Sequence, residues 1–381
     1  VTQAIYHHRH AGTPVAEVNP GLFPPETGPL HVDGKWFRHE DGSLAQIRDT
    51  SMFLLFLRYC RGEDITPDLR WMRAFGFNSA RVFGPLPWIE TPDYRMADFD
   101  FVKFDAFCVV MQEWGLFINF SLGHMPGDYT TFHGAINEIA RVRWALNFLE
   151  HVNEPHVGKK PRPIEDFLPY AQSPRPSAYG YYAELLDDDA DEFPRVAHFG
   201  TVHTKRDTAW YRRFRSAQEG QDEQDIPWWC NEPAKMTEPG FVYPGGKNNP
   251  DTTPREVAWY TGGCHLWCSA STFHSEEGKW GRAPQPGMLQ YEDAESVRDN
   301  VFLRIDPTWQ TGAYNNSENH DSPVDDVTHH GRDIWTYTSL HEHRALSIRF
   351  GPVPLKAING WRIVDAWGPK HAPETFAILE R

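Results

Sequence analysis

Short apolar runs alternate with amphipathic segments along most of this chain. Residues 78–83, 116–122, 146–152, 195–202, 226–230 and 264–272 read as strands that are apolar along their length rather than at every second position. The segments between them carry helix signals. Thr66 as N-cap, Pro67 at the first helical position and Gly76 as the stop bound one helix. Phe101, Phe104, Cys108 and Met111 mark the apolar face of a second, ended by Gly115. Further helices are expected over 135–144, 178–187 and 207–216, after Thr253-Pro254 with Gly262-Gly263 as the stop, and over 293–303. Continuous apolar strands alternating with helices imply parallel strands covered on the outside by helices.

The fold class this predicts is α/β, a (β/α)8 TIM barrel, for which 381 residues leave room to spare. With 78–83 counted as the second strand, the total comes one strand short of eight, the gap falling between Val202 and Ile226. An open doubly wound sheet is the alternative, but no Gly-x-Gly-x-x-Gly follows the first strand. Ahead of the barrel, Asp33-Gly34 between alternating residues predicts a β-hairpin, read as a lid on the barrel floor. Past Asp306 the chain turns polar and His-rich, then β-prone over 333–349 and 361–367, which predicts a small β appendage packed on the barrel. The expected division is 1–45 for the extension and hairpin, 46–305 for the barrel and 306–381 for the appendage.

Charge narrows the partners. Lys and Arg number 37 against 52 Asp and Glu, a net charge of −15, so nucleic acid would meet repulsion over most of the surface. No apolar stretch approaches the roughly 18 residues of a membrane span. Fifteen Trp, 14 Tyr and 24 Phe supply flat rings, which fill cores and also stack on the apolar faces of sugars. Five cysteines, Cys60, Cys108, Cys230, Cys264 and Cys268, lie scattered in apolar segments and read as buried free thiols. The chain starts at Val1 without a charged-then-apolar leader, an expectation that any signal peptide is removed or absent; secretion is favoured over the cytoplasm, and oligomeric state is unreadable.

The candidate chemistry sits in two Asn-Glu-Pro triplets, Asn153-Glu154-Pro155 and Asn231-Glu232-Pro233. Each closes an apolar run, and each Pro, unable to donate to a sheet ladder, stops the strand there. Two carboxylic acids are therefore expected at strand C-terminal ends, where barrel active sites collect. Cleaving an acetal needs a proton donor for the leaving oxygen and a carboxylate facing the oxocarbenium-like carbon, and paired Glu residues supply both. One acid must keep its proton while the other stays ionised. Arg81 is the candidate cation for the second role, or else the partner of an acid such as Glu150.

On these residues the sequence resembles the clan A glycoside hydrolases, the cellulase-like superfamily of retaining (β/α)8 glycosidases. The likeness runs over about residues 30–305, through Asp33-Gly34-Lys35-Trp36-Phe37, Gly76-Phe77-Asn78-Ser79-Ala80-Arg81-Val82 and Asn153-Glu154-Pro155. It implies that Glu154 is the general acid/base, that Asn153 contacts the sugar 2-hydroxyl, that Arg81 is the site arginine and that Glu232 is the nucleophile. Glu276 and Glu277 are rivals for that last role. It also makes Trp267 the floor of the sugar site.

Asn231, Trp88 just past the second strand, and His124 and His203 at strand ends complete the candidate sugar contacts, although a lone His is more often a structural hydrogen-bonder. The His clusters at 7–10, 329–330 and 341–343 lack His-Glu-x-x-His spacing, so neither a metal nor a cofactor is expected. No Gly-x-Ser-x-Gly elbow is present. The resulting expectation is a retaining β-glycoside hydrolase with carbohydrate as its partner; a non-catalytic carbohydrate-binding barrel and a metal-dependent barrel hydrolase are the alternatives.

Overall fold

The computed structural model describes residues 22–85, 99–122, 129–153, 173–182, 198–203, 225–231, 270–305, 334–341, 344–350, 360–368 and 376–381. Eight parallel strands close a barrel: β3 (Ile47–Ser51), β4 (Ser79–Phe83), β5 (Phe117–Ser121), β6 (Leu146–Asn153), β7 (Ser177–Tyr182), β8 (Gly200–His203), β9 (Trp228–Cys230) and β10 (Ala270–Phe273). Closure comes from β10 pairing with β3, Ala270 opposite Ile47 and Phe273 opposite Thr50. The eighth strand is not where the sequence gap suggested. Strands β8 and β9 pair directly, Gly200 opposite Trp228, and the additional strand is β7, which falls where the sequence pattern predicts the start of a helix over 178–187. In Ser-Ala-Tyr-Gly-Tyr-Tyr the aromatic and small residues fit a strand held between β6 and β8, and that placement outweighs the weak helical pattern.

The first strand, β3, is fully buried yet reads Ile-Arg-Asp-Thr-Ser, so no apolar run announces it. Helices α1 (Leu55–Cys60), α2 (Thr66–Ala74), α3 (Phe101–Glu113) and α4 (Tyr129–Val142) cover the strands that lead or follow them. Helix α2 starts one residue earlier than its Thr-Pro signal implied. Thr66 is already helical, and its N–H is held by the Asp64 carboxylate at 2.9 Å. Gly76 ends it at φ +82°, with the Phe23 ring 2.6 Å from where a Cβ would stand, so no other residue fits without displacing that ring. On α3, Phe104, Cys108 and Met111 are buried as the periodicity predicts, joined by Phe107, while Phe101 is half-buried. After β10 come α5 (Glu276–Lys279) and α6 (Leu289–Val297), the latter running into a π-helical turn at Arg298–Phe302. The helix expected over 293–303 thus begins four residues earlier and changes winding half-way.

Side chains entering the barrel alternate along each strand and build it in layers. The lowest layer is apolar: Ile47, Phe117, Phe148, Phe199, Trp229 and Ala270. It is sealed from beneath by the N-terminal hairpin, β1 (Leu30–Asp33) and β2 (Trp36–His39), turning at Gly34. Phe37 of β2 points its ring at Phe148, Phe199 and Trp229, centroids 5.2, 5.4 and 6.1 Å away, all near edge-on. The Leu30 N–H donates to the Asn147 side chain at 2.9 Å, fixing the hairpin to the start of β6. The hairpin is therefore a plug in the floor, as its sequence position implied.

The C-terminal strands form one antiparallel sheet in the order β11 (Ile334–His341), β12 (Arg344–Phe350), β14 (Phe376–Glu380), β13 (Arg362–Trp367). Strand β14 joins the two stretches read from sequence. Trp367 donates its indole N–H to the Asn300 carbonyl at 3.0 Å and stacks on Phe376, fastening the sheet to the π-helical turn. Cys60, Cys108 and Cys230 form no disulfide, the first half-buried and the others buried; Cys264 and Cys268 lie outside the described residues. Among the described residues no helix is long and apolar enough to cross a membrane.

The floor plug gives a direct test. Phe37→Ala removes a ring that is 2% exposed and touches three aromatic neighbours. The expected cost is about 3–5 kcal/mol in urea unfolding; a loss under about 1 kcal/mol means that the hairpin does not close the barrel.

Candidate active site

Above the aromatic floor the barrel interior turns polar. Asp49 of β3 accepts from the Thr272 hydroxyl at 2.7 Å and from the Asn119 amide at 3.4 Å, and Thr272 in turn accepts from the Trp229 indole at 3.0 Å. Asp49 is fully buried, and burial pushes its carboxyl up to about 7, against the opposing effects of Ser79, Thr272 and Asn119 and of the Arg81 charge. A polar layer on an apolar one follows from residue order. Ile47 is followed by Asp49, Phe117 by Asn119, Phe148 by Glu150, Trp229 by Asn231 and Ala270 by Thr272, each two residues further along its strand.

Arg81, on β4, is the hub of the uppermost layer. Its guanidinium donates to Glu150 Oε2 at 2.8 Å, to Asn153 Oδ1 at 2.7 Å and to the Asn231 carbonyl at 3.0 Å. Asn231 returns a bond, its amide donating to Glu150 Oε1 at 2.6 Å. Arg81, Glu150 and Asn231 are completely buried, and Asn153 nearly so. The guanidinium also lies 4.8 Å from the Phe83 ring and 5.4 Å from that of Phe53, and those two rings stack with centroids 4.0 Å apart. One buried cation thus ties together the ends of barrel strands two, four and seven.

The partnership of Arg81 with Glu150, one of the two readings of the sequence, is present, and the same arginine reaches the residue before each candidate glutamate. Asn153 closes β6, the fourth barrel strand, and Asn231 follows β9, the seventh, both at C-terminal ends. Glu154, Glu232, Trp88, His124 and Trp267 lie outside the described residues, and His203 is described only as the last residue of β8. Glu276 and Glu277 open α5, a short helix capped by the Ser275 hydroxyl on the Gly278 N–H and laid against the end of β3; just past that strand the Phe53 N–H donates to the Gly278 carbonyl at 2.9 Å. Among the described residues, no group of three or more His, Cys, Asp or Glu side chains is placed to hold a metal.

Sequence reasoning passed over Asp49, Asn119, Thr272 and the bridging role of Glu150. The last had a usable signal, a carboxylate two residues beyond Phe148 on the inward face of a strand. On the outer face of β6, His151 sits with its ring 5.1 Å from that of His133 on α4, and burial together with His133 and His198 keeps it neutral.

No protein-family model matches the sequence, and no curated protein matches it. Solved structures do match in fold. A glycoside hydrolase superposes with a TM-score of 0.58 at 12% identity, over 92% of this chain and 96% of its own. The β-1,4-D-mannanase of Cryptopygus antarcticus gives 0.48 at 12% identity, covering 71% and 95%. The β-mannanase of Streptomyces thermolilacinus with mannohexaose gives 0.48 at 12%, covering 74% and 100%. At such identities the likeness establishes the (β/α)8 fold, on the strength of the first superposition.

The buried Asp49 makes stability depend on pH. Its folded value near 7 lies above the ordinary carboxylate value of 3.8, so the folded state holds a proton that the unfolded chain releases, and stability falls as pH rises from about 4 through 7. Asp49→Asn, which keeps an acceptor for Thr272 and Asn119, is expected to flatten this decline, leaving the variant more stable than wild type at pH 8 in urea unfolding. Parallel curves for the two proteins between pH 5 and 8 contradict a protonated Asp49.

Proposed function

We propose that the protein is a glycoside hydrolase that cleaves β-glycosidic bonds of an oligo- or polysaccharide by double displacement, with Glu154 as acid/base and Glu232 as nucleophile. The observation that carries this is the Arg81 guanidinium bonded at once to the Asn153 side chain and the Asn231 carbonyl. Each of these residues directly precedes one of the glutamates, so their sharing of one guanidinium supports a reading in which both acids belong to the same rim of the barrel. The fold shared with a glycoside hydrolase over nearly all of both chains supports the same reading.

The proposed chemistry requires one carboxyl that keeps its proton and one that is ionised. Glu154, protonated, gives its proton to the leaving glycosidic oxygen while the Glu232 carboxylate attacks the anomeric carbon, forming a covalent glycosyl ester. Glu154, now ionised, takes a proton from water, and that water releases the sugar with net retention. Asn153 and Asn231 are proposed to orient the sugar and the acids, and Trp88, His124, His203 and Trp267 to line the subsites. Retention requires the two carboxyls about 5–5.5 Å apart, whereas a gap beyond about 6.5 Å would admit a water and invert the product.

Hydrolysis of a panel of aryl β-glycosides and of gluco-, manno-, galacto- and xylo-configured polysaccharides tests this, with and without chelator. Glu154→Gln and Glu232→Gln are each expected to lower kcat by at least about 10³-fold, with chelator having no effect. Sugar binding without turnover in the wild type would mean a carbohydrate-binding barrel. Glu232→Gly is expected to recover part of its activity with azide, giving a glycosyl azide; rescue of Glu276→Gly or Glu277→Gly instead transfers the nucleophile role to α5.

A further inference from the structure

Glu150 is the one carboxylate among the described residues that holds both Arg81 and Asn231, and the two triplets do not account for it. Its side chain is completely buried, so it does not reach substrate itself. Two oxygens do two different jobs: Oε2 accepts from Arg81 at 2.8 Å and Oε1 accepts from the Asn231 amide at 2.6 Å. Arg81 in turn bonds Asn153. The resulting path runs from Asn231 through Glu150 and Arg81 to Asn153, and its two ends are the residues preceding Glu232 and Glu154.

We propose that Glu150 is a positioning residue for the proposed glycosidase reaction, setting the spacing and the charge of the two acids through Arg81 and Asn231; this rests on the reading above. The spacing argument is geometric. Bonds from one carboxylate to partners on β4 and after β9 fix how far the seventh strand's end stands from the second, and the Arg81 bond to Asn153 adds the fourth. The charge argument is electrostatic. A guanidinium sealed from water acts at full strength on any acid nearby, and Glu150 balances it, so the neighbouring acids feel a neutral pair rather than a bare cation. A buried pair of this kind adds little to stability, whereas it fixes a single arrangement of the groups it links.

Glu150→Gln separates this role from a merely structural one. Asn231 Oδ1 is buried and has no hydrogen-bond partner among the described residues, so its amide can turn over and accept from the new side-chain NH2, keeping the packing while deleting the charge. The expected result in a folded variant is a kcat lowered by about 10²-fold through misplaced acids, with KM changed by less than about 3-fold. The acid limb of the kcat/KM profile should move to lower pH, because an unbalanced Arg81 favours the ionised acids. Circular dichroism and a urea melt establish that the variant is folded.

A folded E150Q with wild-type kcat and an unmoved acid limb overturns the positioning role while leaving the glycosidase reading intact. A wild-type chain that hydrolyses nothing on the panel overturns that reading and the positioning role together. Should E150Q not fold, Glu150→Asp and Asn231→Ala carry the same test. The first keeps the charge and so the acid limb, but shortens the reach and lowers kcat; the second cuts only the Asn231 arm. Wild-type kcat in both overturns the proposal.

Discussion

A cation sealed inside the barrel, Arg81, constrains everything above the aromatic floor. Burying a guanidinium is tolerable only if its charge is balanced and its N–H groups are bonded, so a carboxylate and good acceptors must lie within reach. Glu150 balances the charge, and with Asn153 and the Asn231 carbonyl it accepts from the two terminal nitrogens; these partners come from strands two positions and more away around the barrel. The barrel therefore cannot shift the register of β4, β6 or β9 without leaving a charge unsatisfied. The two Phe rings beside the guanidinium, stacked on each other, keep it dry and make each of those bonds stronger.

The division of the interior into an apolar floor and a polar upper half places chemistry at one end. Rigidity comes from beneath, where the hairpin drives Phe37 among Phe148, Phe199 and Trp229. Two residues higher on the same strands, the inward positions become Asp49, Asn119, Glu150, Asn231 and Thr272, a network in which hydrogen bonds replace oil-like contact. Such a network specifies a unique arrangement, and its cost in desolvation is visible in the raised pKa of Asp49. Asn153 and Asn231, at the C-terminal ends of the fourth and seventh barrel strands, form the upper edge of this gradient.

Features that local chemistry enforces are legible in the amino-acid order alone. Gly76 and Gly115 mark helix ends because the backbone turns left-handed there, at φ +82° and +63°, and the Asp33-Gly34 turn makes its hairpin. The apolar face of α3, the apolar strands β4, β5 and β6, and the triplets after β6 and β9 were legible for the same reason. The remaining features depend on contacts between distant strands. Strand β3 is buried on both faces yet polar, because its inward residues bond to other strands rather than to oil, and β7 is a strand because β6 and β8 offer it a ladder. The meeting of Arg81 with Glu150, 69 residues away, and with Asn231, 150 residues away, has no local trace, since nothing short of barrel closure brings them into hydrogen-bonding range.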